Sequence, residues 1–149
     1  MKRDTVGRPM EILLVEDSLV DARFAIAALQ KSQVKHRLTL VRDGEEAMEF
    51  VNQHGKFARA PRPDLILLDL LLPKKDGIEV LTELKQDYSL KNIPVVVMTG
   101  SDVHEDMVKC ELLHVDSFMP KPVNLDKFLS IVKQLKDCWL HDVILPAME

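Results

Sequence analysis

Two hydrophobic rhythms alternate along the chain. Apolar runs of strand length, "EILLVE" over 11–16 and "DLILLD" over 64–69, each close on an acid; "RLTLVR" over 37–42 alternates; "IPVVVMT" over 93–99 is rich in valine; "DSFMPKP" over 116–122 is short and closes on proline. Each is followed by a segment of helical period. The pattern predicts helices over 18–32, 44–53, 77–87, 103–114 and 124–138, with Asp102 and Asn124 as N-caps. Strands that are apolar on both faces and alternate with helices belong to a parallel sheet covered on both sides. The expected fold is therefore α/β, a (βα)5 doubly wound parallel sheet of five strands.

Such sheets bind ligands beyond the C-terminal ends of their strands, near the point where strand order reverses. Those ends carry chemistry here. The first strand runs out into Glu16 and Asp17, the third into Asp69, the fourth into Thr99-Gly100 and the fifth into Lys121-Pro122. Taken singly, each has an ordinary explanation: an N-cap, a turn residue, a solvated lysine. Together they bring carboxylates, a hydroxyl and an ammonium to one crevice. Carboxylates held so close repel one another and need a cation. Lys121 supplies part of it, and Mg²⁺ suits the remainder because it binds through one or two carboxylates, waters and a phosphate oxygen. In that setting Asp69 can attack phosphorus and become an acyl phosphate, with Thr99 donating to one phosphoryl oxygen and Lys121 pairing with another. Gly100, without a side chain, leaves the approach open.

Composition narrows the function classes. The chain has 149 residues, 46% of them hydrophobic and 30% charged, with a formal charge of -4, which is the balance of one soluble globular domain. Its basic residues are scattered among acids, so nucleic acid is not an expected partner. No run approaches a membrane span and the first ten residues lack a signal-peptide core, so a cytoplasmic location is expected. Cys110 and Cys138 have no metal-ligand spacing, and the five histidines (36, 54, 104, 114, 141) form no cluster. They are assigned no role in catalysis.

"LLVEDS", "LILLDLLLPKKDG", "VVVMTGS" and "FMPKP" resemble the receiver domain of two-component response regulators, a flavodoxin-like fold, over about residues 11 to 138. The piece "LLDLLLPKKDGIEVL", with the lead-in "HGKFARAPRPDL", is similar to the stand-alone regulators that partner cyanobacterial and bacterial phytochrome histidine kinases. The resemblance implies Asp69 as phosphoacceptor. It also implies Mg²⁺ held by Asp17, Asp69 and the backbone carbonyl of Leu71, with Glu16 reaching it through water. Thr99 and Phe118 would be the switch residues and Lys121 the phosphate-pairing lysine. In the family the Lys-Pro peptide corresponding to Lys121-Pro122 is cis. The surface around the first helix and the loop after the fifth strand would receive the kinase. Two positions depart from common usage: Leu71, where relatives often carry a polar side chain, and Glu16, where Asp is frequent. The first helix also carries Phe24 and Ile26 beside Ala22, Ala25 and Leu29, which reads as a broad core face.

The expected layout is an N-terminal arm over 1–10, the receiver domain over 11–138 and an apolar extension over 139–149. Trp139, Leu140, Val143, Ile144 and Leu145 of that extension must pack on their own domain or on a partner, and a two-fold homodimer is the favoured reading. The leading function is a phosphorylation switch that signals through protein interactions, a signalling protein rather than an enzyme. Its chemistry is confined to its own phosphotransfer and autodephosphorylation. Two other classes compete with it: a receiver-fold dimer module that does not use the chemistry, and a flavin or nucleotide binder on the same type of sheet. The second lacks a glycine-rich loop, having "EDSLVDA" after the first strand.

Overall fold

The computed structural model describes residues 8–32, 34–100, 109–110, 112–113, 115, 117–121 and 124–135. Five strands, β1 (Met10–Val15), β2 (His36–Val41), β3 (Leu65–Asp69), β4 (Val95–Thr99) and β5 (Ser117–Pro120), form one parallel sheet in the order β2-β1-β3-β4-β5. Helices α1 (Leu19–Lys31), α2 (Gly44–Val51), α3 (Gly77–Gln86) and α4 (Leu125–Leu135) cover it, with a short 3-10 turn at Gly55–Phe57. Of the predicted helix over 103–114, the described Lys109, Cys110 and Leu112 are helical. Asp102, Cys138, His104, His114, His141 and the extension residues Trp139, Leu140, Val143, Ile144 and Leu145 lie outside the described residues.

Side chains alternate across each strand, which splits the core in two. Ile12, Leu14, Leu65 and Leu67 meet Ala22, Ala25 and Leu29 of α1 and Phe128 and Ile131 of α4 on one face. Leu13, Val15, Ile66 and Leu68 meet Ala47 and Phe50 of α2 and Val80, Leu81 and Leu84 of α3 on the other. Every residue of β3 is buried, so its continuous apolar run reflects two dry faces rather than one. Each such leucine contributes about 2 kcal/mol of burial.

Short polar side chains start the helices. Ser18 accepts from the Asp21 N–H, Asp43 from Glu46, and Asn124 from Lys127, while Asp76 and Glu79 form a reciprocal capping box. β1 begins one residue earlier than expected, at Met10, and Arg8 before it forks onto Asp64 at 2.6 and 2.8 Å. One expectation holds only in part: Ile26 of α1 packs half-buried against the core, but Phe24 does not. That side chain is 49% exposed and joins Leu19 (51%) and Val20 (63%) on the solvent side, because Ala22, Ala25, Ala28 and Leu29 already fill the contact with the sheet.

Candidate acidic site at the C-terminal edge of the sheet

Strand order reverses between β1 and β3, and the turns leaving those strands face one another. Glu16 leaves β1 with its side chain turned inward, only 1% exposed, and Oε2 accepts from the Ser18 N–H at 3.0 Å. Asp69 ends β3 and is also buried; its Oδ1 accepts from the Leu71 N–H at 3.1 Å. Lys121, just past β5, places its ammonium 2.8 Å from Asp69 Oδ2, 2.9 Å from Glu16 Oε1 and 3.0 Å from Asp21 Oδ2. The ammonium is the partner of the buried Glu16 Oε1, which accepts from no other donor among the described residues.

Burial pushes the Glu16 carboxyl up to about 7, and the neighbouring Asp69 carboxylate adds to the push against Lys121 and the Ser18 N–H. For Lys121 burial works against the charge, but Asp69, Glu16 and Asp21 outweigh it and hold the ammonium firmly protonated.

The site is thus assembled from three of the four elements the sequence named, with one substitution of partner. Glu16, Asp69 and Lys121 converge as expected. Asp17 does not join them: its side chain is exposed at the rim of a cleft of about 320 Å³ that Leu70, Leu71, Leu72, Pro73, Asp76 and Ile78 also line. Asp21, which sequence reasoning missed, takes the third place on the ammonium. The spacing Ser18-x-x-Asp21 could have drawn attention to it as a capping pattern, yet its carboxylate turns to Lys121 instead. Thr99 is the last residue of β4, in register with Pro120, and only its backbone is described. Phe118 lies on β5, half-buried against the core face of α2 and α3. The Leu71 side chain is 71% exposed. Cys110 is buried.

Among the described residues no three acidic, histidine or cysteine side chains form a metal cage. The reason is visible: the point on which Glu16, Asp69 and Asp21 converge is taken by the ammonium. Away from the ammonium, the exposed Asp17 carboxylate and Leu71 line the neighbouring cleft beside Asp69, an all-oxygen set of carboxylates and a backbone carbonyl that fits a hard divalent cation with several waters rather than a closed cage. Two glycines keep the surrounding turns close. A Cβ on Gly77 would lie 2.5 Å from the Asp69 carbonyl oxygen, and one on Gly44 would lie 1.8 Å from that of Lys75.

A buried carboxylate at the end of the central strand, an acid before the first helix and a lysine after the last strand define a receiver domain. The chain belongs to that family: residues 12–133 match the response regulator receiver domain, whose members take a phosphoryl group on an aspartate in two-component signalling. It is 46% identical to the response regulator Rcp1 of Synechocystis sp. over 144 residues, 97% of this chain and 98% of that protein. The crystal structure of the Mn²⁺-bound form of Rcp1 superposes with a TM-score of 0.75 at 47% identity, covering 93% of this chain and 100% of that one. The phosphorylated cyanobacterial phytochrome response regulator RcpA superposes with a TM-score of 0.76 at 47% identity, covering 93% and 99%. Among the described residues no helix is long and apolar enough to cross a membrane.

Proposed function

We propose that Asp69 is the phosphoacceptor of a response regulator served by a phytochrome-type histidine kinase in a Mg²⁺-dependent reaction. The observation that carries this is the hold on its carboxylate: the Leu71 N–H fixes Oδ1 and Lys121 fixes Oδ2 at the buried end of the central strand. An Asp69 oxygen forms a bond to phosphorus as the P–N bond of the kinase phosphohistidine breaks. The departing imidazole nitrogen keeps the electron pair and is protonated. Lys121 is then within reach of a phosphoryl oxygen, and Thr99 follows at the end of the adjacent strand. Asp17, Asp69, the Leu71 carbonyl and, through water, Glu16 would hold Mg²⁺, which when bound offsets their charge and polarises a phosphoryl oxygen.

The kinase would dock beside the site, where Leu19, Val20 and Phe24 of α1 expose apolar surface. A change at Thr99 and Phe118 would pass the signal on to partners, with Trp139, Leu140, Val143, Ile144 and Leu145 forming a homodimer contact. The similarity to a cyanobacterial phytochrome response regulator and to a bacteriophytochrome response regulator supports the choice of kinase.

Incubation with Mg²⁺ and acetyl phosphate should add the mass of one phosphoryl group to the wild-type chain and none to Asp69→Asn. Uptake by the variant would move the acceptor elsewhere. The exposed Leu71 side chain offers an incoming water no polar partner, so the phosphorylated form should be long-lived. Leu71→Asn should shorten its half-life about tenfold by aligning that water. An unchanged half-life, read by intact mass over time, would remove Leu71 from the hydrolytic step.

A further inference from the structure

Arg42 follows β2, and its guanidinium crosses to the turn after β1. Nε and Nη2 both donate to the Asp17 backbone carbonyl, at 3.2 and 2.7 Å. Two donors on one oxygen restrain that peptide in rotation as well as in position. The clamp has a fixed base. The Arg42 N–H donates to Glu46 Oε1 at 2.9 Å, the Glu46 N–H donates to Asp43 at 2.8 Å, and Glu46 Oε2 pairs with Lys56 at 2.9 Å.

The residue held by this clamp has little else to hold it. Glu16 is fixed by Lys121 and the Ser18 N–H, and Ser18 caps α1. The Asp17 carboxylate, by contrast, is exposed, and among the described residues no hydrogen bond or ion pair is made to it. Its place at the rim of the cleft is therefore set by its backbone, and the Asp17–Ser18 peptide is held from two sides: Glu16 Oε2 accepts from its N–H, and Arg42 donates to its carbonyl oxygen.

We infer that Arg42 is a positioning residue for the divalent-cation site, holding the Asp17 carboxylate in place through the Asp17 carbonyl. The inference rests on the proposed role of Asp17 as a ligand of that ion. Ordering a backbone segment in advance spares the ion the entropy of ordering it on binding. The guanidinium is also a cation near a cation site, and its charge acts the opposite way. The two effects predict opposite results when Arg42 is removed.

The experiment is a calorimetric titration of Mg²⁺ into the full chain, Arg42→Ala and Arg42→Lys, with denaturation midpoints recorded in chelator. Arg42→Ala should bind Mg²⁺ roughly fivefold more weakly. Arg42→Lys, which keeps the charge but loses the fork, should also bind more weakly, by roughly twofold to threefold, and it serves as the measured variant if the alanine form does not fold. Tighter binding by Arg42→Ala, or affinities in both variants equal to wild type, would overturn the inference while leaving the site assignment standing. A wild-type chain that takes up no Mg²⁺ would overturn the site assignment, and the inference with it.

Discussion

Gly77→Ala should destabilise the protein by about 3 kcal/mol and abolish most phosphoryl uptake, because the added methyl has nowhere to go. Its Cβ would lie 2.5 Å from the Asp69 carbonyl oxygen, 2.5 Å from the Leu70 Cα and 3.1 Å from the Asp69 carbonyl carbon. All three are backbone atoms at the end of β3, a strand that is buried along its whole length. The first residue of α3 is moreover tied to the same place by the Gly77 N–H, which donates to the Leu70 carbonyl at 3.0 Å. Relief requires α3 to lift from the sheet or the Asp69 peptide to rotate, and rotation moves the acceptor away from Lys121. Gly44 is more crowded still, since a Cβ there would lie 1.8 Å from the Lys75 carbonyl oxygen and 2.6 Å from its carbonyl carbon, but those backbone atoms belong to the turn before α3 and not to the strand that carries the acceptor. A urea midpoint and an intact-mass assay on Gly77→Ala separate the two consequences. Wild-type values in both would show that the turn yields to the added methyl.

Lys121→Met should cost about 3 kcal/mol at pH 8 in chelator and less than half of that at pH 5.5. Among the described residues Lys121 is the cation paired with Glu16, Asp69 and Asp21. Its removal leaves two buried carboxylates facing each other. The sign of the pH effect follows from Glu16, whose folded value is raised from 4.5 to about 7. The fold favours its protonated form. The stability this group contributes is whole below its unfolded value and is lost as pH rises through about 7, by at most about 3 kcal/mol even in the wild type. Without the ammonium to offset burial, the decline steepens and moves upward in pH. Denaturation midpoints at the two pH values test this. An equal deficit at both would mean that Lys121 acts through packing rather than charge.

The strands were legible because both faces of the sheet are dry. "LILLD" can be so apolar only where neither side meets water, and a buried acid at the end of such a run is costly enough to demand a function. Asp69 and Lys121 could be found that way, since each closes a strand whose end the fold places at one edge. Asp21 could not. Whether its carboxylate meets Lys121 depends on how far α1 is rotated on the sheet and where β5 ends, and neither is encoded near residue 21. Phe24 failed for a related reason: periodicity counts apolar positions, whereas the width of the contact was decided by the small Ala22, Ala25 and Ala28, which let α1 lie close and leave no room for a wider face. The exposed place of Asp17 came from the turn, whose path is held by an arginine just past another strand.

The lysine that completes the site comes from the end of the last strand, 52 residues from Asp69 and 100 from Asp21. A chain still emerging from the ribosome can pair β1 with β3 and set Glu16 against Asp69 long before Lys121 is available. Until then the two acids repel, and the ammonium that would steady a phosphoryl group is absent. With Asp69 as the proposed acceptor, the ammonium that would pair with its phosphoryl group therefore arrives only with the final strand.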